Sequence, residues 1–288
     1  MHNPAQMHKL RRDRFASMTG NRRVVGIFAP LPSTRHMRAP VDTIPAPPFP
    51  QGLEWVNVKT LRMDKQRGRP VLIEFFDFCR PNSLRTLPYV RAWHERYAQD
   101  GAGLRVVSVH CPGFPPGEDA DTVRAAVARL VIEHPVCLDP GFALWRAYDN
   151  EGWPARYLFD GDQKLFEYHV GEGAYAETEL AIQELLGVGG ELVAPVHPED
   201  VPDAQIVAQT PDQPGAYSGP YAAGAVWVVV EGAGTIAVNG APVAVDAPGA
   251  VRVVEHPCHT EAVVDLRPDA GVTVHATCFT PGVAPPAP

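Results

Sequence analysis

Two cysteines stand directly after apolar runs that are typical of buried strands. Cys79 follows PVLIEFFDF, and Cys111 follows LRVVSVH. A thiol reacts as its thiolate, which both the amino terminus of a helix and a neighbouring cation favour. Because Cys79 is followed by Arg80 and then by a predicted helix, a reactive thiolate is one interpretation. A small buried residue at the end of a strand is the alternative.

A second group of side chains near the carboxyl terminus could bind a metal. It comprises His256, Cys258, His259, His275 and Cys278. The spacing fits no strong zinc pattern, and strand alternation places His275 and Cys278 on opposite faces. The chain also lacks a glycine-rich phosphate loop and the HExxH and G-x-S-x-G motifs. We therefore expect neither a metal nor a cofactor.

Three aromatic residues of the same region, Tyr217, Tyr221 and Trp227, could stack against a sugar ring. Trp227 lies among valines in a predicted strand, which favours a role in the core. A glycan is nevertheless one candidate ligand of this region.

The composition predicts two modest domains and a basic arm. The chain has 288 residues, of which 45% are hydrophobic, and its net charge is −8. Residues 1–50 carry eight lysines and arginines but only two acidic residues. They lack the interleaved aromatic residues that stack on bases, so we expect a solvated tail and no nucleic-acid partner. No apolar run suggests a signal peptide or a membrane span, and the five cysteines are widely spaced. A cytoplasmic protein with reduced thiols is the expectation.

The order of predicted elements changes along the chain. Residues 51–188 read as strand, helix, strand, helix, hairpin and helix, which predicts an α/β layer with a mixed sheet. The hairpin turn is Asp160-Gly161-Asp162. After a linker at 189–203, residues 204–288 contain short apolar runs separated by turns, including Asn239-Gly240. That pattern predicts a small all-β sandwich or jelly roll.

Residues 45–188 resemble the thioredoxin-like domain of the TlpA/redoxin group. The matching stretches are GLEWVNV, RGRPVLIEFFDF, LRTLPYVRAWHERY, VVSVHCPGF, LWRAYDNEGWPARYLFD and YHVGEGAYAETELAIQELL. Within this group, these residues resemble the extracytoplasmic part of DipZ-type thiol–disulfide interchange proteins, in which such a domain precedes a β-sandwich. The resemblance of the carboxyl-terminal part, with its Asn239-Gly240 hairpin and GVTVHATCFTPG, is looser. The resemblance implies a thioredoxin-like fold and a protein or peptide substrate that carries a thiol or disulfide.

The resemblance also implies a Cys-x-x-Cys pair that this chain lacks. Arg80 stands at the position of the nucleophilic cysteine and Ser83 at that of the resolving one, while Cys79 lies one residue earlier. Without a resolving thiol nearby, a mixed disulfide is not released by the usual route. We therefore predict a non-standard site, either with a single cysteine or relocated, and limited thiol–disulfide chemistry.

A relocated couple would join Cys79 to Cys111. In the thioredoxin-like fold their strands are neighbours and run parallel, so both thiols reach the same edge of the sheet. A disulfide requires Cα atoms within about 4.4 to 6.8 Å, and two isolated thiols are the alternative. His110, at the same strand end, is expected to have a loop role, with acid–base work as the alternative.

Trp153-Pro154 matches the cis-proline loop of the family, which faces the redox site and offers backbone groups to an extended substrate. An ordinary trans turn is the alternative. A second function follows from this loop. The protein would then be a catalytically silent binding module that uses the groove and the β-sandwich for a peptide, a protein or a glycan.

Overall fold

A computed structural model describes residues 35–39, 43–98 and 103–286. Its first seven strands form one sheet in the order β1-β7-β6-β3-β4-β5-β2. The strands are β1 (Arg35–Arg38), β2 (Glu54–Val56), β3 (Val71–Phe76), β4 (Arg105–His110), β5 (Val136–Leu138), β6 (Ala155–Phe159) and β7 (Leu165–Val170). β3, β4 and β5 run parallel, and the other neighbours are antiparallel. The predicted mixed sheet is confirmed.

Helices cover both faces of this sheet. They are α1 (Pro81–Tyr97), α2 (Ala120–Arg129), α3 (Ala143–Ala147) and α4 (Tyr175–Leu186). Side chains of α1 and α4 pack together on one face of the sheet, whereas α3 packs on the other. Pro81 is tolerated in the first turn of α1 because that turn needs no intrahelical N–H donor. Asp119 caps α2 by accepting a hydrogen bond from the Thr122 N–H at 2.7 Å.

The carboxyl-terminal part from residue 204, here called the β domain, is all-β as predicted. Its strands are β8 (Ile206–Val207), β9 (Gln213–Pro214), β10 (Ser218–Gly232), β11 (Gly234–Val238), β12 (Ala241–Val245), β13 (Gly249–Pro268), β14 (Val272–Thr280) and β15 (Gly282–Val283). Six form an antiparallel sheet in the order β12-β11-β13-β10-β14-β9, and β8 pairs with β15. Inward side chains of β10 to β14 share one apolar cluster. Asn239 and Gly240 both have positive φ, as a two-residue hairpin turn requires.

The amino-terminal domain begins before the predicted boundary at residue 51. Most of the predicted arm lies outside the described residues, but β1 pairs with β7 and Pro45 bridges to Lys164. Ile44 and Phe49 pack against the core, and the Phe49 ring meets Trp55 edge-on at 5.2 Å. These apolar side chains are scattered among prolines, so their pattern did not indicate an attached segment.

Residues 189–203, which the sequence predicts as a linker, are hydrogen-bonded to α1. Arg85 of α1 donates to Glu172 and Glu199, both at 2.9 Å. The Tyr89 hydroxyl donates to Asp200 at 2.6 Å and accepts from the Val196 N–H at 2.7 Å. This segment therefore fixes the point at which the β domain begins. Among the described residues, no helix combines the length and the apolar character that crossing a membrane requires.

Candidate functional site

Arg80 occupies the N-cap of α1, the position at which the resemblance places the nucleophilic cysteine. Its guanidinium carbon lies 4.3 Å from the ring centre of Trp153 and 5.2 Å from that of Phe114. About a third of the side chain is exposed, at 29%. No described residue accepts a hydrogen bond from the guanidinium, and its Nε lies 4.0 Å from the Asp77 carboxylate. Arg80, Phe114 and Trp153 together form a partly exposed cation–π cluster. The surface at this cluster is here called the Arg80 groove, after the substrate groove that the resemblance implies.

Ser83 and Asp77 organise the loop between β3 and α1. Ser83 is buried, and its hydroxyl accepts a hydrogen bond from the Asp77 N–H at 3.2 Å. The Asp77 carboxylate, fully buried, accepts from the N–H of Cys79 at 2.9 Å and of Gly113 at 2.8 Å. Sequence reasoning missed Asp77, although an aspartate two residues before a turn amide is a known signal for this bond.

The sequence leaves two interpretations of Cys79, a reactive thiolate and a small buried residue at the end of a strand. Cys79 is completely buried. Burial raises the pKa of its thiol far above the ordinary value; Asp77 adds to this rise, while Arg80 and Arg129 oppose it more weakly. The burial depends on residues that are distant in sequence, because Cys79 belongs to an apolar cluster to which the β domain contributes Val229 and other side chains. Proximity to a helix amino terminus therefore does not make this thiol acidic.

The structure does not bring Cys111 to Cys79. Cys111 packs with Cys137 in the cluster that contains α3, whereas Cys79 packs in a separate cluster with the β domain. Burial, together with Asp139, raises the pKa of Cys111, whose Sγ lies 3.5 Å from Asp139 Oδ2. All five cysteines are free. The strands are parallel neighbours as expected, but the two side chains pack in different apolar clusters.

His110, the last residue of β4, is buried. Its ring stacks on Phe78 at 5.3 Å, and its Nε2 lies 3.5 Å from Asp77 Oδ1. It also lines a cavity of about 120 Å³ with Gly117 and Leu138, among others. Its Nε2 has no hydrogen-bond partner among the described residues, and both the loop role and the acid–base role remain predictions.

The Trp153–Pro154 peptide bond is cis. The Trp153 indole N–H donates to the carbonyl oxygen of Cys111 at 3.1 Å, and its ring lies 4.3 Å from that of Trp145. These contacts fix the indole on which Arg80 stacks. Trp153, one of the predicted groove residues, thus lies beside Arg80, and Pro154 follows it in the chain.

Of the three aromatic residues that could stack against a sugar ring, Tyr217 and Tyr221 belong to one cluster of the β domain and Trp227 to another. Tyr221 is buried, stacks on Phe279, and is hydrogen-bonded to His256 Nε2 at 2.7 Å. Trp227 instead packs in the cluster between the two domains. Within the described part of the chain, no group of three or more His, Cys, Asp or Glu side chains is arranged to hold a metal ion.

The chain is similar to thiol–disulfide proteins over about half its length, although no family model matches it. Protein DipZ of Mycobacterium tuberculosis is 34% identical over 135 residues, which are 46% of this chain and 19% of that protein. Thiol-disulfide oxidoreductase YkuV of Bacillus subtilis is 26% identical over 142 residues, or 49% of this chain and 94% of YkuV. The chain therefore spans about a fifth of the length of DipZ.

Two solved structures also align with about half of the chain. A thioredoxin-like superfamily protein is 23% identical with a TM-score of 0.47, over 52% of this chain and 100% of that one. A thiol-disulfide isomerase from Corynebacterium glutamicum is 21% identical with a TM-score of 0.42, over 50% of this chain and 98% of that one. The assignment itself rests on the strand order and the sequence relatives. On that basis, the chain contains a thioredoxin-like domain of the redoxin group.

Proposed function

We propose that this protein is a thioredoxin-like binding protein whose Arg80 groove holds a peptide segment and whose degenerate redox site does not turn over. One observation carries the proposal. The nucleophile position is occupied by a guanidinium that stacks on Trp153 and Phe114 and makes no hydrogen bond to a described residue.

Thiol exchange requires a thiolate that a substrate can reach. Cys79 and Cys111 are both completely buried, and burial raises the pKa of both thiols. The Ser83 hydroxyl is already used by a backbone N–H. These features favour the binding function over the limited thiol chemistry that the same sequence predicts.

The chemistry of the groove favours a carboxylate. A guanidinium that stacks on aromatic rings keeps its planar N–H donors available, and these match the two oxygens of a carboxylate. Asp77 lies 4.0 Å from the guanidinium, but its two oxygens already accept backbone hydrogen bonds. Asp212 of the β domain also interacts with the charge of Arg80, but its Oδ1 accepts from the Phe279 N–H. The ligand class that fits is therefore a peptide segment with an acidic side chain or a free carboxyl terminus beside Arg80.

Four synthetic heptapeptides of alternating Val and Thr test this ligand class by calorimetric titration. They combine a central Glu or Gln with a free or an amidated carboxyl terminus, so they separate the two sources of carboxylate. A charge-assisted hydrogen bond contributes about 1.5 to 3 kcal/mol, so we expect roughly tenfold or tighter binding of a carboxylate-bearing peptide. Equal affinity for all four peptides would contradict the assignment.

Variants of the protein locate the contact. Arg80→Gln removes the charge and should abolish the preference for carboxylate, whereas Arg80→Lys should retain part of it. Arg62→Gln is the matched control, because Arg62 is an exposed arginine paired with Asp64. An insulin reduction assay on the same protein should show no turnover above the rate of the reductant alone.

A further inference from the structure

We propose that the β domain is a lid that holds Cys79 unreactive, and that opening the interface between the folded domains exposes this thiol. This inference goes beyond the binding function and does not depend on the identity of the ligand. It concerns the part of the amino-terminal domain that lies between Phe76 and Leu87.

Backbone hydrogen bonds fasten the lid next to Cys79. The Ala250 N–H donates to the carbonyl oxygen of Phe78 at 3.1 Å. On the other side of Gly249, the Pro248 carbonyl accepts from Arg129 Nη2 of α2 at 2.9 Å. The start of β13 is thus bonded both to the residue before Cys79 and to a neighbouring helix.

Gly249 shows how closely the two domains approach. Its φ is +131°, a conformation that side chains disfavour. A Cβ at this position would lie 3.0 Å from the Phe78 ring and 3.3 Å from Arg129 Nη2. Phe78 has little freedom to move away because it is itself buried and stacked on His110.

Apolar packing closes the rest of the interface. Phe76, Phe78, Cys79 and Leu87 of the amino-terminal domain share one cluster with side chains of the lid. Those of the lid are Val229, Ala276, Cys278 and the partly buried Trp227. Cys79 and Cys278 therefore depend on the same interface for their burial. Cys111 and Cys137 lie in a different cluster and do not depend on it.

Native-state alkylation of the full chain tests the lid. Each cysteine is followed by peptide mass spectrometry during exposure to iodoacetamide, in the wild type and in Gly249→Val. We expect labelling of Cys79 and Cys278 to be at least tenfold faster in the variant, and labelling of Cys111 and Cys137 to be unchanged. Gly240→Val is the control, because Gly240 also has positive φ but no atom lies within 4 Å of its added Cβ.

A second variant covers the case in which Gly249→Val does not fold. Arg129→Met removes the bond to the Pro248 carbonyl without introducing a clash, and should accelerate labelling of Cys79 and Cys278 several-fold. Two results would overturn the lid. In one, Cys79 labels at the wild-type rate in the variants that fold. In the other, all four buried cysteines become faster together, which indicates global unfolding.

Discussion

Glu74 offers a quantitative test of the core beneath the candidate site. It lies on β3, is completely buried, and accepts a hydrogen bond from the Ser108 hydroxyl at 2.7 Å. The same hydroxyl is bonded to His134 Nε2 at 2.7 Å, while the other carboxylate oxygen of Glu74 has no described partner. Burial raises the pKa of Glu74 from 4.5 to about 7, although Ser108 and Arg156 oppose the rise.

The direction of this shift fixes the sign of the pH dependence. The folded state binds the Glu74 proton more tightly than the unfolded state does. The contribution of protonated Glu74 to the free energy of unfolding is therefore fully present below pH 4.5 and is lost as the pH rises through 7. A shift of this size corresponds to about 3 kcal/mol of unfolding free energy. Glu74→Gln keeps an acceptor for Ser108 but cannot ionise, so it should not lose this stability.

The assay is urea unfolding of the wild type and of Glu74→Gln between pH 4.5 and 7.5. Between pH 4.5 and 7.5, the free energy of unfolding of the variant should rise by about 3 kcal/mol relative to that of the wild type. Burial lowers the pKa of His134 to about 3, so the stability contributed by its neutral form is lost as the pH falls. This loss occurs in the wild type and in Glu74→Gln alike. Glu95→Gln, at an exposed position of α1, is the control. Parallel pH profiles for wild type and Glu74→Gln would refute the buried-acid reasoning.

Three further predictions concern the thiols, the segment on α1 and the loop before it. In the native protein, a thiol reagent should modify Cys258 first, because the other four cysteines are buried; rapid labelling of any other would contradict this. Arg85→Met should destabilise the fold by about 3 kcal/mol in urea unfolding, since Glu172 and Glu199 lose their shared partner; a neutral effect would refute the pairing. Asp77→Ala leaves two buried amides unpaired and should cost about 2 kcal/mol or more by the same measurement.

Local patterns were sufficient to predict most of the amino-terminal domain. The continuous apolar run at 71–76 indicated a strand buried on both faces, and the Asp160-Gly161 signal indicated the hairpin of β6 and β7. β1 was not predicted, because RHMR has neither an apolar alternation nor a turn signal. Its pairing with β7 depends on a partner that lies far along the chain.

The state of Cys79 could not be predicted from its neighbours in sequence. Arg80 and the following helix both favour a thiolate, and both are present in the structure. The desolvation that outweighs them comes in part from β10 and β14, whose residues join the cluster around Cys79. The sequence shows that these strands are apolar, but not which surface they cover. Burial by a second domain is a tertiary property that no local motif encodes.

The burial of Cys79 and its interface with the β domain are physically consistent with the function proposed above. A protein that exchanges disulfides needs a thiol that is accessible and able to ionise. Here Arg80 is the N-cap of α1, and the preceding residue, Cys79, is buried in a cluster that includes residues of β10 and β14. The Arg80 side chain remains partly exposed beside Trp153. Under the proposed function, exchange does not occur because the Cys79 thiol is buried, and the partly exposed guanidinium is the group that binds the ligand.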